Sequence, residues 1–304
     1  KRQEGKRVKQ YRTFPNLTSA RTGLREFYAD RDKLLHPPKQ EQTLRQWLDY
    51  WMENIIRPNR AETTVYAYQK IIDNHLDPLL GAVPLSKLSP KQIQEYYQTM
   101  TRTEGLSSNT IRRHHDLLSA ALRMAVRQDM LRVNPMERVE PPRPKLHEAS
   151  YYTQENLKVL YQLVEGHWLE MVVKVTAGLG LRREEICGLK WESVDFQRRV
   201  VHIKEARTAY GATVVQKETK NRSSMRTLFM PDELYELLRR EKARQEQERA
   251  IRGGDYAASG HVVLDREGLP YSPNALSLAF TRFVRKNHLP RLTLHAVSYT
   301  HLRA

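Results

Sequence analysis

The residues best spaced for chemistry lie in the stretch 176–196, Thr-Ala-Gly-Leu-Gly-Leu-Arg-Arg-Glu-Glu-Ile-Cys-Gly-Leu-Lys-Trp-Glu-Ser-Val-Asp-Phe. Gly178 and Gly180 should break one helix and Leu181 start another, which sets Arg182 at a helix mouth with Glu185 one turn on. Leu181, Ile186 and Leu189 form the apolar stripe that would anchor this turn in a core. An arginine held at a turn between packed helices presents a planar fork of N–H donors suited to a phosphate. The same i, i+3 spacing also describes a helix-start arginine paired with Glu185 on a solvated face. The single cysteine, Cys187, sits in the apolar register and reads as a small buried hydrophobe rather than a nucleophile.

A second basic cluster is Lys217-Glu-Thr-Lys-Asn-Arg-Ser-Ser-Met-Arg226. It falls between strand-like runs at 213–216 and 226–230, and a third run, 200–203, completes a small sheet. By composition alone this cluster is also what a solvated turn looks like.

The elements around these residues are mainly helical. Leu44, Trp47, Leu48, Trp51 and Ile55 recur at helical spacing behind Thr43 as N-cap, predicting a helix over 44–56 that Pro58 and Asn59 break. A second helix is expected over 61–75, closed by Pro78 and Gly81, and a third over 91–103 after Ser89 and Pro90. Ser108 is expected to cap a fourth, running to about residue 128, with Ile111, Leu118, Leu122 and Ala125 inward and His114 among the residues on its other faces. Glu140-Pro-Pro-Arg-Pro-Lys145 reads as a stiff, extended linker. Beyond it, helices are expected from about 154, over 167–177, over 232–252 and over 274–287.

Composition narrows the partner. Lys and Arg number 51 against 35 acidic residues, a formal net charge of +16, which points to a polyanion, and nucleic acid is the simplest one. No apolar run approaches the ~20 residues of a membrane span. Residues 1–40 hold eleven Lys or Arg against four acidic residues and read either as a basic arm for phosphate contacts or as a solvated tail.

The order Gly-Leu-Arg-x-x-Glu, Gly-Leu, Trp-x-x-Val-Asp resembles the first active-site box of the tyrosine recombinases, the integrases of phages and conjugative transposons. The resemblance assigns Arg182 to the scissile phosphate and Glu185 to bracing it; Arg183 is the neighbour, not the match. Trp-Leu-x-x-Trp, Pro-Asn-x-x-x-x-Thr and Ile-x-x-His-Leu-x-Pro-x-Leu-Gly are similar to the family's core-binding domain. There Thr64, Tyr68, Lys70, Asn109, Arg112 and Arg113 are candidate DNA contacts. Thr-Lys-x-x-Ser-Ser-x-Arg-Thr-Leu-x-x-Pro resembles the β-hairpin bearing the family's catalytic lysine, which places that role on Lys220 with Lys217 as competitor and Arg222 as a DNA contact. Leu292-Thr-Leu-His295 matches the start of a His-x-x-Arg box, with His295 in place.

The match then fails. Position 298, where the second Arg belongs, is Ser298, and Val-Ser-Tyr-Thr-His-Leu-Arg-Ala304 resembles the in-frame translation of a transposon-end sequencing adapter. Native sequence is therefore expected to end near His295 or Ala296, and Tyr299, only four residues past His295, is not assigned as nucleophile; nor are His301 and Arg303 given roles.

The resemblance thus implies a mainly α chain with a small β-sheet. A helical, SAM-like core-binding domain (41–138) follows a basic arm (1–40), the latter a possible remnant of an arm-type DNA-binding domain. A linker (139–150) then leads to an α+β catalytic domain (151–296) incomplete at its C-terminus, with 297–304 as a non-native tail. The whole protein would break and rejoin DNA through a 3′-phosphotyrosine, integrating and excising a mobile element. No nucleophile is present in this chain, which is expected to bind DNA without cutting it. Double-stranded DNA attachment sites, a synaptic homotetramer and accessory DNA-bending or excision factors are the expected partners, with no cofactor, metal or membrane, in a bacterial cytoplasm at the nucleoid. The rival from another class is a non-enzymatic DNA-binding or repressor protein using the same basic residues as phosphate anchors; a metal-dependent nuclease is a third.

Overall fold

Hydroxyl and amide side chains start several of the helices, and most of the longer ones carry an apolar stripe into a core. The structure is a computed structural model that describes residues 2–3, 6–7, 13–35, 41–145, 152–218, 225–291, 293–294 and 296–297. The chain divides into two units, one of residues 1–60 and 67–145 and one of residues 61–66 and 146–304.

In the first unit, β1 (Arg2–Gln3) pairs antiparallel with β2 (Lys6–Arg7). Next comes α1 (Leu17–Leu35), a helix not expected from the basic arm. The Asn16 side chain caps it, accepting from the Ser19 N–H at 2.8 Å, but Leu17, Leu24, Phe27 and Tyr28 are left exposed. α2 (Leu44–Trp51) begins at Thr43 as predicted: Thr43 accepts from the Gln46 N–H and the Gln46 side chain accepts from the Thr43 N–H.

The prolines do not break the helices where the sequence suggested. α2 passes into a π-helical segment, Met52–Ile56, and then α3 (Arg57–Asn59), which contains Pro58. α4 (Glu62–Ile71) likewise passes into a π-helical stretch, Ile72–Gly81, which contains Pro78. A proline lacks the N–H for the normal ladder and its ring collides with the carbonyl four residues back; the wider π turn, bonding five residues back, accommodates both defects. α5 (Pro90–Arg102) has a Ser89–Gln92 capping box. α6 (Ser108–Arg127) is capped by Ser107, one residue before the predicted cap.

Trp47, Leu48, Ile72, Leu76, Ile93, Leu118 and Leu122 are fully buried, and the Trp47 indole N–H donates to the Ala121 carbonyl at 3.1 Å, tying α2 to α6. His114 faces inward rather than outward, only 1% exposed, because Tyr96 on α5 supplies its ring with a partner, Oη to Nδ1 at 2.7 Å.

The second unit opens with buried Tyr152, followed by α7 (Gln154–Val164) capped by Thr153. α8 (Leu169–Leu179), α9 (Arg183–Gly188), α10 (Asp232–Arg252) and α11 (Pro273–Lys286) pack with it around Val172, Leu181, Ile186, Leu238 and Phe280. Gly178 lies inside α8 rather than ending it; a Cβ there would come within 2.6 Å of Leu234, so the glycine admits α10 to close packing. Gly180, left-handed at φ 61°, ends the helix.

The strands pair differently from the single sheet expected. β3 (Val194–Asp195), β4 (Val200–Ile203) and β7 (Arg226–Phe229) form one antiparallel sheet in the order β3-β4-β7. β5 (Glu205–Tyr210) and β6 (Thr213–Glu218) form a separate hairpin turning at Gly211 and Ala212. β5 is polar and half-buried along its length, so it lacks the alternation that marks a strand in sequence.

Candidate active site and nucleic-acid surface

Arg182 stands where α8 has ended and α9 begins, its backbone extended at φ −76°, ψ 154°. Its backbone N–H donates to Glu185 Oε2 at 2.8 Å and its Nη1 to Oε1 at 2.9 Å. The Glu185 carboxylate, 3% exposed, also receives Arg226: Nη1 to Oε1 at 3.0 Å and Nη2 to Oε2 at 2.9 Å. Burial alone would push the Glu185 carboxyl upward, but the hydrogen bonds from Arg226 and from the Arg182 backbone outweigh it and hold it below the ordinary carboxylate range. The bond to Glu185 in turn raises the Arg226 guanidinium.

This arrangement spends one guanidinium to hold another. Arg226 is mostly enclosed, whereas the Arg182 side chain is 59% exposed and anchored by one nitrogen. Its remaining side-chain N–H donors have no hydrogen bond among the described residues, which leaves them available to a phosphodiester oxygen. Arg183 is engaged elsewhere, paired with Glu184 and donating to Ser277 Oγ at 3.0 Å, consistent with its being the neighbour. A cleft of about 440 Å³ opens beside Arg226, lined by His202, Lys204, Glu205, Met225 and Thr227 among others.

Residues 150–301 match the phage integrase family, and residues 43–101 match the phage integrase N-terminal SAM-like domain. The chain belongs to the phage integrase family of tyrosine recombinases. A relative described as a tyrosine recombinase XerC-like protein, from Caldanaerobacter subterraneus subsp. tengcongensis, is 25% identical over 86% of this chain and 72% of its own length. Among solved structures, a variant of the Tn1549 transposon integrase in complex with transposon right end DNA superposes with a TM-score of 0.73 at 22% identity, covering 85% of each chain. A lambda integrase tetramer bound to a Holliday junction gives 0.64 at 18% identity, covering 93% of this chain and 79% of that one. These likenesses support a SAM-like helical domain followed by an integrase catalytic domain.

The structure brings Arg182 and Glu185 together as an i, i+3 pair at 2.9 Å. Arg226 is the residue that sequence reading did not single out. Its signal was present, since a carboxylate in an apolar register needs a cation and Arg226 opens the next strand of the sheet. Lys220, Arg222 and His295 lie outside the described residues. Lys217 is exposed on β6, opposite Ala206, rather than at a hairpin tip. Cys187 is buried on α9, and burial pushes its thiol up to about 12.

The candidate DNA contacts of the helical unit divide sharply. On α6, Asn109 is engaged by its own chain: its Nδ2 donates to the Lys145 carbonyl at 2.9 Å and its Oδ1 accepts from the Lys145 N–H at 3.1 Å. Arg112 donates from Nη1 to the Pro142 carbonyl at 3.0 Å. Both staple the proline-rich segment along α6, while Arg113 is exposed. On α4, Thr64 and Tyr68 are half-buried one turn apart, Tyr68 stacked on Trp51 at 5.8 Å, and Lys70 is exposed. No helix among the described residues is long and apolar enough to cross a membrane, and no three His, Cys, Asp or Glu among them come together as a metal set.

Proposed function

We propose that this chain is the DNA-binding and phosphate-gripping part of a site-specific integrase that moves a mobile element by breaking and rejoining DNA through a 3′-phosphotyrosine. The observation that carries the reading is the Glu185 carboxylate pinned by Arg226, which fixes an exposed Arg182 at the mouth of α9. Transesterification at phosphorus places extra negative charge on the non-bridging oxygens, and a guanidinium already oriented for them lowers that barrier without reorganising. His295 would add a second donor and Lys220, with Lys217 as alternate, would protonate the leaving 5′-oxygen. The tyrosyl ester conserves the energy of the broken bond, so rejoining needs no nucleotide cofactor.

Position 298 carries Ser298 where the family has its second arginine. A serine cannot supply that guanidinium, and no residue here is assigned as nucleophile. Our reading for the chain as it stands is therefore DNA binding without cleavage, with Arg113, Lys70, Thr64, Tyr68 and Arg222 among the backbone contacts. The complete protein would act on attachment sites as a homotetramer, aided by DNA-bending or excision factors, in the bacterial cytoplasm. The lambda integrase tetramer on a Holliday junction supports that assembly by fold.

Fluorescence anisotropy with duplex DNA over a salt series tests the reading. Affinity should fall steeply with salt and be indifferent to EDTA; binding that ignores salt would overturn it. To separate an integrase from a repressor, the gene product carrying an arginine at 298 and a downstream tyrosine should form an SDS-stable adduct with its attachment-site DNA. Arg182→Ala should lose the adduct and keep most of the binding, whereas a repressor forms no adduct in either protein.

A further inference from the structure

We propose that Gln216, locked in place by His261, is a positioning residue that clamps β6 to the end of α9 and so sets how Lys217, the next residue on that strand, is held relative to the helix that begins at Arg183. This rests on the integrase reading above, since a clamp matters to catalysis only if the lysines of that segment serve it.

The approach of the hairpin to α9 is too close for an ordinary side chain. A Cβ on Gly188 would stand 2.8 Å from the Arg207 backbone nitrogen and 3.0 Å from the Ala206 backbone, so β5 lies directly on the last residue of the helix that carries Glu185. Arg207 pairs with Gln216 across the hairpin. The Gln216 Nε2 donates to the Gly188 carbonyl at 3.1 Å and also to the Glu205 carboxylate. Both partners are acceptors only, which fixes the amide orientation: the two N–H bonds face Gly188 and Glu205, and Oε1 points the other way.

There Oε1 meets His261 Nε2 at 2.7 Å. Because Oε1 can only accept, Nε2 must carry the proton, while Nδ1 lies 3.2 Å from both the carbonyl and the hydroxyl of Ser259, which hold the other edge of the ring. The segment holding His261 is itself fixed to the chain just after α9. The Trp191 N–H donates to the Gly260 carbonyl at 2.9 Å and the Val262 N–H to the Leu189 carbonyl at 2.8 Å. Lys190 closes the ring by pairing with Glu205 at 3.0 Å. One glutamine thus joins three segments: the end of α9, the hairpin, and the 259–262 segment. None of these residues touches Arg182 or Glu185 among the contacts described, so the effect is transmitted through the placement of β6.

The test compares Gln216→Ala, His261→Ala and His261→Gln by two measurements. Amide hydrogen exchange of the free protein reads the clamp; acetylation of Lys217 and Lys220, with and without duplex DNA, reads lysine placement. Gln216→Ala removes three hydrogen bonds and should speed exchange across 213–218 by at least the roughly fivefold that one lost bond would give, with the melting transition preserved. DNA protection of the lysines should fall by a similar factor while overall duplex affinity stays within about twofold. His261→Gln, which keeps an N–H donor, should recover part of what His261→Ala loses, and this pair carries the test if Gln216→Ala folds poorly. Unchanged exchange overturns the clamp. Faster exchange with unchanged lysine protection overturns the positioning role. Absence of any duplex binding by the unaltered chain would instead remove the integrase reading, and the positioning role with it, while exchange still reports on the clamp.

Discussion

Arg226 grips both oxygens of Glu185 across 41 residues of chain, Nη1 to Oε1 at 3.0 Å and Nη2 to Oε2 at 2.9 Å. Strand β7 is thereby tied to the start of α9, and the exposed Arg182 is held by a carboxylate that Arg226 fixes from the other side. Removing one partner of a buried pair leaves the other charge uncompensated, at a cost of about 3–5 kcal/mol. Arg226→Ala should therefore destabilise the catalytic unit by about 3 kcal/mol in urea melts, whereas Arg182→Ala, acting at an exposed side chain, should cost under about 1 kcal/mol. Equal losses from the two would contradict this division of labour.

The same carboxylate predicts an acid response. The folded-state pKa of Glu185 is depressed, so its contribution is full above the ordinary glutamate value of about 4.3 and is lost as pH falls through the lower folded value. In Glu185→Gln that acid-dependent loss should be smaller, measured as the slope of melting temperature against pH below 4.

His114 predicts a separate window in the helical unit. Burial, with the neighbouring His75, lowers its pKa to about 4. The unfolded chain takes up a proton near pH 6.5 and the folded chain does not, so stability should decline as pH drops from about 6.5 to about 4 and level off below. The linkage amounts to about 3 kcal/mol for this one ring. His114→Phe should flatten that part of the pH profile even if it lowers stability at neutral pH by leaving the Tyr96 hydroxyl without its partner.

Along α6, adjacent turns should respond differently. Arg113→Ala should weaken duplex binding and reduce the salt slope by about 1. Asn109→Ala should leave the slope unchanged and instead expose residues 140–145 to proteolysis, because its two bonds to Lys145 fasten that segment. A drop in salt slope for Asn109→Ala would return it to the DNA-contact set.

The first box was legible because its message is local: two glycines, an arginine and a glutamate three residues on, in an apolar stripe. Arg226 was not, because a cation's role depends on which buried carboxylate the fold brings to it. The helix caps at Thr43 and Ser89 were readable for the same local reason as the box. The π-helical passages just before Pro58 and around Pro78 were hidden, since a proline looks like a terminator until tertiary packing stabilises a wider turn beside it. Asn109 and Arg112 carry the donors that a DNA contact would need, and only the path of the proline-rich segment shows that the Asn109 amide and one Arg112 nitrogen already bond to their own chain.

Cys187, the sole cysteine of the chain, is buried on α9 with its thiol raised to about 12. At neutral pH almost none of it is thiolate, so it is silent toward maleimides and iodoacetamide. A cysteine introduced at an exposed position, such as Ser86→Cys in the helical unit or Gln247→Cys on α10, would be the one reactive thiol in the protein. Fluorophores could then be placed singly, without altering the native sulfur, to follow each unit as it meets DNA.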